Sequence, residues 1–215
     1  MICVPVKQKK TELIIKNIKK THNLADIIEI WFDELGKNLT QSNVDKILNS
    51  NKKPIIYKSS GNPRNIKKIL KEKVSFIDLD IKTPKTIIGL IKTHFKATKI
   101  IISCHDFAKT PDTKTLKKIF TTALKKGADI VKIATYAKKI EDSFRILALL
   151  SELSQKNKVI FLCMGKYGTI TRTTGHLFGN YLMYAPLTIR DKTAEGQVQA
   201  QELRKIQNLI QESCH

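Results

Sequence analysis

The chain has 215 residues, 41% of them hydrophobic and 27% charged, a make-up that suits a folded globular protein and argues against disorder. Its formal charge of +20 comes mostly from lysine, because Arg64, Arg145, Arg172, Arg190 and Arg204 are the sole arginines. Lysine pairs such as Lys9–Lys10, Lys67–Lys68 and Lys125–Lys126 recur along almost every segment and read as solvated helix faces. An arginine-rich, aromatic-laced nucleic-acid surface is disfavoured, whereas a positive field of this kind draws in small anions.

In chain order the predicted strands are ICVPV (2–6), DIIEIWF (26–32), PIIYK (54–58), SFIDLD (75–80), KIIISCHDF (99–107), ADIVKIATY (128–136), KVIFLCMG (158–165) and YLMYAP (181–186). Lysine-rich amphipathic segments lie between them. The clearest is TKTLKKIFTTALKKG (113–127), where Leu116, Ile119, Phe120 and Leu124 form a stripe and Gly127 takes the C-cap position. Near-continuous apolar strands alternating with helices predict a parallel sheet covered on its outer side. Eight such units predict one α/β domain over residues 1–215, a single (β/α)8 TIM barrel. The alternative, an open doubly wound sheet, lacks a GxGxxG loop in its first turn.

The barrel reading changes how the polar strand residues are understood. Chemistry in such barrels collects at the C-terminal ends of the strands, where Glu29, Lys58, Asp78, Asp80, His105 and Lys132 would converge. Lys132 stands in the apolar run of GADIVKIATYAKK (127–139). By itself it reads either as a strand lysine whose ammonium reaches water or as a desolvated amine, partly neutral and able to attack a carbonyl. Its place one strand after His105 favours the second reading.

Cys3, Cys104, Cys163 and Cys214 show no CxxC spacing, and none of the five histidines has metal-ligand spacing with a cysteine or a second histidine. No apolar run approaches the roughly 18 residues of a membrane span, and MICVPVKQKK lacks a signal-peptide core. These features predict a reduced, cytoplasmic protein with no membrane contact and no metal.

Three segments carry a family likeness: IISCHDF (101–107), GADIVKIA (127–134), and MGKYGTITRTTGHLFGN (164–180) followed by TAEGQ (193–197). Together they resemble the type I 3-dehydroquinate dehydratases, Schiff-base-forming hydro-lyases of the shikimate pathway that serves aromatic amino acid biosynthesis. The resemblance runs over nearly the whole chain. It implies syn elimination of water from the small anionic substrate 3-dehydroquinate, giving 3-dehydroshikimate. Lys132 would form the imine and His105 would act as general base and then general acid. The resemblance further implies that Arg172 clamps the substrate carboxylate and that Glu29 and Lys58 read ring hydroxyls. Thr193 and Gln197 would donate hydrogen bonds from a lid after the eighth strand, and Tyr184 would form an aromatic wall. Neither metal nor organic cofactor is implied, and a homodimer is allowed.

The sequence also departs from the family. The strand-2 motif Glu-x-Arg is here Glu29-Ile30-Trp31, and Lys58 and Asn62 stand where an arginine and a glutamate are usual. Lys58 keeps the charge without the bidentate fork, Trp31 could form an apolar wall, and Asn62 could orient His105. These changes leave other readings open: a different class I, aldolase-type Schiff-base barrel, or an inactive basic barrel kept for binding. The chain starts almost at its first strand, so a reduced N-terminal closure of the barrel is expected.

Overall fold

The computed structural model describes residues 1–70 and 74–213. The elements alternate as β1 (Ile2–Val6), α1 (Thr11–Lys20), β2 (Ile27–Ile30), α2 (Gln41–Asn49), β3 (Ile55–Lys58), α3 (Pro63–Ile69), β4 (Val74–Asp80) and α4 (Lys85–His94). They continue with β5 (Lys99–His105), α5 (Thr113–Lys126), β6 (Ile130–Tyr136), α6 (Ile140–Ser154), β7 (Val159–Met164), α7 (Thr169–Thr174), β8 (Met183–Tyr184) and α8 (Ala200–Ser213). The strands pair in the order β7-β6-β5-β4-β3-β2-β1-β8, every ladder parallel. This is a (β/α)8, TIM-barrel-like fold, nearly closed.

Isoleucine and valine dominate the strands because branched side chains fit a pleated surface packed on both faces. The two faces build separate cores. One sits between sheet and helices and takes Ile28, Ile30, Ile100, Ile102, Val131 and Ile133. The other fills the barrel interior with Ile27, Ile56, Ile101, Ile130, Ile160 and Tyr184. Side chains alternate along a strand with period two, so Ile130, Lys132 and Ala134 share the inward face of β6. Lys132 therefore points into the barrel, above Ile130.

Helix α5 shows how the outer layer is specified. Asp112 caps it by accepting the Thr115 N–H at 2.7 Å, and Gly127 ends it with φ +99°, a left-handed geometry that suits glycine. Leu116, Phe120 and Ala123 are its buried positions. Leu124, assigned to the stripe from sequence, is exposed because the stripe drifts one position at that turn.

The eighth strand is shorter than the predicted 181–186. No ladder joins β7 to β8, and side chains bridge the seam instead. Asn180 accepts the Phe161 N–H through Oδ1 at 3.0 Å and donates from Nδ2 to the Phe161 carbonyl at 3.1 Å. The Tyr181 N–H adds a bond to the Val159 carbonyl at 2.8 Å. At the N-terminal ends of β1 and β2, Asp26 accepts the Ile2 N–H at 2.7 Å and pairs with Arg204 of α8 at 2.9 Å. These contacts satisfy backbone groups that the ladders leave open.

Candidate active site

A cavity of about 540 Å³ opens at the C-terminal ends of the strands. Its lining includes all eight residues singled out from sequence: Glu29, Lys58, His105, Lys132, Arg172, Tyr184, Thr193 and Gln197. They arrive from β2, β3, β5, β6, α7, β8 and the loop before α8. Inward alternation brings the strand residues there, with polar side chains taking inward positions on β2, β3, β5 and β6 while Leu162 and Met164 keep the β7 side apolar.

Charge in the cavity is arranged around Asp78, which is fully buried. Its Oδ2 lies 2.9 Å from Lys132 Nζ and its Oδ1 2.8 Å from Lys58 Nζ. Lys58 also donates to Ser103 Oγ at 3.0 Å. Lys132 meets a second carboxylate, Glu29 Oε2, at 3.4 Å, and sits 3.9 Å above the centre of the Tyr184 ring. Two carboxylates thus face two ammoniums. Burial favours the neutral amine of Lys132, but Asp78 and Glu29 outweigh it and raise its pKa. The expectation of a partly neutral amine is therefore corrected: before substrate binds, Lys132 is an ammonium. Burial would likewise raise Asp78, but Lys132 and Lys58 hold its carboxyl well below the usual range.

His105 follows the opposite logic. Burial first, and then the positive charges of Lys132 and Lys58, lower its pKa to about 4, so the imidazole is neutral at pH 7. Its ring stacks on Phe107 at 5.9 Å between centroids, with Phe107 largely exposed at the mouth. Asn62 does not orient His105. It caps α3 instead, accepting the Arg64 and Asn65 N–H groups at 2.9 and 3.4 Å. The carboxylates whose fields reach the imidazole are Asp78 and Asp80.

Arg172 is 4% exposed and has no carboxylate partner among the described residues. Burial lowers its pKa to about 10, so it stays charged at pH 7. Its Nε donates to the Cys163 carbonyl at 2.8 Å, while the Cys163 N–H donates to Thr171 Oγ1 at 2.8 Å. Because β7 lacks a ladder on that side, these two α7 side chains satisfy its peptide groups. That arrangement fixes the guanidinium and leaves its terminal nitrogens to the cavity. It is the surplus positive charge of the site.

The loop at 193–197 lies across the ends of β6 and β7. Tyr136 Oη donates to Glu195 Oε2 at 3.0 Å, and the Gly165 N–H donates to the Glu195 carbonyl at 3.3 Å. Gly196 adopts φ +80°, and a Cβ there would come within 2.5 Å of the Gly165 carbonyl oxygen. Thr193 and Gln197 line the cavity but bond each other. Gln197 Oε1 accepts the Thr193 and Ala194 N–H groups at 2.8 and 3.1 Å, and Nε2 donates to Thr193 Oγ1 at 3.2 Å.

Sequence reasoning placed Asp78 at the mouth without giving it a role, although SFIDLD already shows Phe76, Asp78 and Asp80 on one face. Trp31 was read as an apolar wall, yet its Nε1 donates to Glu29 Oε1 at 3.0 Å. His176 sits outside the cavity lining, and His215 and Cys214 lie outside the described residues. Cys3, Cys104 and Cys163 are free thiols. Among the described residues there is no group of three or more His, Cys, Asp or Glu able to hold a metal, and no helix long and apolar enough to cross a membrane.

Fold and cavity define a (β/α)8-barrel enzyme whose site lies at the C-terminal ends of its strands. The family described as type I 3-dehydroquinase matches residues 2–214. A 3-dehydroquinate dehydratase of Methanococcus maripaludis strain C6 is 34% identical, over 98% of this chain and the whole of that protein. One from Methanocaldococcus jannaschii is 33% identical over 98% of this chain and 99% of its own length. Among solved structures, the type I 3-dehydroquinate dehydratase of Clostridium difficile, containing covalently modified comenic acid, superposes with a TM-score of 0.85 at 26% identity. That alignment covers 99% of this chain and 92% of the other. The chain belongs to the type I 3-dehydroquinase family.

Proposed function

We propose that the chain is a 3-dehydroquinate dehydratase that works through an imine on Lys132, in a cytoplasmic shikimate pathway. The observation that carries this reading is one cavity holding a buried amine between carboxylates, a neutral imidazole and an unpaired buried guanidinium. Family membership and full-length relatives of that activity support the substrate.

The substrate is a cyclic β-hydroxy ketone carrying a carboxylate. Arg172 binds the carboxylate through its terminal nitrogens. Condensing an ammonium with a ketone gives an iminium and water with no net change of charge. The cation that Asp78 and Glu29 hold before reaction is therefore matched by one they hold afterwards. Within that step His105 relays the proton from Lys132 to the departing oxygen. The iminium then acts as an electron sink: His105 removes the adjacent proton, an enamine forms, and the enamine's electrons expel the β-hydroxyl. His105, now protonated, returns that proton to the hydroxyl on the same face, releasing water. Hydrolysis frees the conjugated enone and restores Lys132. Glu29 and Lys58 offer an acceptor and a donor to ring hydroxyls, Tyr184 walls the imine from below, and Thr193 and Gln197 close above.

Incubation with 3-dehydroquinate should raise the ultraviolet absorbance of the enone, and borohydride should trap substrate on Lys132 by peptide mass. Turnover without an adduct would rule out the imine. Absence of turnover in the well-folded protein would rule out the activity itself.

A further inference from the structure

Trp31 is the single tryptophan of the chain and stands two residues beyond Glu29, just past the end of β2, where both line the same cavity. Its indole N–H reaches Glu29 Oε1 at 3.0 Å, while Glu29 Oε2 faces Lys132 at 3.4 Å. The two oxygens of one carboxylate are thus divided between a neutral donor and the amine. Lys7 Nζ lies over the Trp31 ring, 4.5 Å from its centre, and pairs with Glu34 at 3.3 Å. Attraction between an ammonium and the indole face holds the ring in place.

The ring is also a partition. A second cavity of about 270 Å³ lies beside the first, and its charged lining is three cations, Lys7, Arg190 and Lys192, against one carboxylate, Asp191. Trp31 and Thr193 are the residues common to both linings. Without the indole, an anionic substrate would meet a second set of cations beyond Glu29.

We propose that Trp31 is a specificity-determining positioning residue: its N–H fixes Glu29 toward the substrate's hydroxyls, and its ring confines the substrate carboxylate to Arg172. The inference rests on the dehydratase reading for the identity of the substrate. Indole is a donor only and carries no charge. At this position it orients a carboxylate without disturbing the balance of Glu29 and Asp78 against Lys58 and Lys132. Arg172 then remains the buried cation of the cavity without a carboxylate partner among the described residues, whereas Lys82 of the same lining is exposed, so a monocarboxylate docks on the guanidinium. Chain, geometry and chemistry point the same way.

The test uses Trp31→Phe, which keeps a ring at the partition and removes the N–H. A hydrogen bond to a charged group is worth about a tenfold effect, expected as a rise in KM for 3-dehydroquinate with kcat much less affected. In a Glu29→Ala background the same substitution should add less than about twofold, because the N–H no longer has its acceptor. The single indole gives one side-chain N–H resonance by NMR. That resonance should move in Glu29→Ala and stay put in Glu34→Ala. Unchanged KM in Trp31→Phe, equal losses in both backgrounds, or an indole resonance indifferent to Glu29 would each overturn the proposal. If wild-type protein makes no enone, the dehydratase reading fails, and the resonance alone decides the Trp31–Glu29 coupling.

Discussion

Replacing Arg172 by methionine separates binding from stability more sharply than any other change in the site. The guanidinium is buried, and that burial lowers its pKa from 12.5 to about 10. At 1.36 kcal/mol per unit, holding the charge there costs the folded state about 3 kcal/mol. The cost is present at every pH where both states are protonated and lifts only as pH climbs past about 10. Methionine removes it, fills similar volume, and forfeits the bond to the Cys163 carbonyl, an offset of about 1–3 kcal/mol. The melting temperature should therefore hold or rise, by at most about 5 °C for a chain of this size. Binding should move the other way. Losing a desolvated cation–carboxylate pair costs about 3–5 kcal/mol, or roughly 10²- to 10⁴-fold in kcat/KM for 3-dehydroquinate. Calorimetry with and without the product 3-dehydroshikimate, alongside steady-state kinetics, reads both. Product should raise the melting temperature of the wild type and leave the variant unmoved. A variant that melts about 10 °C lower with its KM intact would refute the reasoning and make Arg172 a structural residue.

Other outcomes follow from the same geometry. With its imidazole lowered to about 4, His105 should remain a competent base until the pH approaches that value. The acid limb of kcat/KM is expected there rather than near 6.5, and a limb at 6 or above would contradict it. The unfolded chain binds the extra proton first, so the stability tied to His105 declines as pH falls from about 6.5 to about 4, measurable as a falling urea midpoint. Asn180→Ala strips a buried N–H and carbonyl of their partners and should cost about 2–4 kcal/mol in denaturant unfolding, with little change in kcat. Tyr136→Phe removes the bond to Glu195 and should raise KM by about two- to fivefold while leaving borohydride trapping on Lys132 intact.

The barrel was legible because its signal is repeated: eight apolar runs alternating with helical segments, several of them amphipathic and rich in lysine. The two faces of the strands were not separable in that reading, since both are buried and an isoleucine toward the helices looks like one toward the interior. The cavity residues were readable through motif likeness, and all eight named positions do line one cavity. Their electrostatics were not. Whether Lys132 is neutral or charged depends on Asp78, 54 positions away in sequence and 2.9 Å away in space. Asn62 was assigned by sequence position to His105, but an asparagine ahead of Pro63 is a helix cap, and local backbone demand prevailed. The short eighth strand escaped prediction for a related reason: Asn180 substitutes a side-chain amide for a ladder, and no propensity describes that.

The seam closed by Asn180 leaves the wall of the barrel with one boundary that no ladder crosses. Arg172 is moored to its β7 side through the Cys163 carbonyl, and the loop bearing Thr193 and Gln197, although it follows β8, crosses back to bond Tyr136 and Gly165 on that same side. Seven ladders tie every remaining neighbour pair together, so the positions of clamp and cover are referred to β7 and not to the open seam. Clamp and cover are thus carried by β7 together, while the amine, the imidazole and their carboxylates stand on the continuous run of ladders.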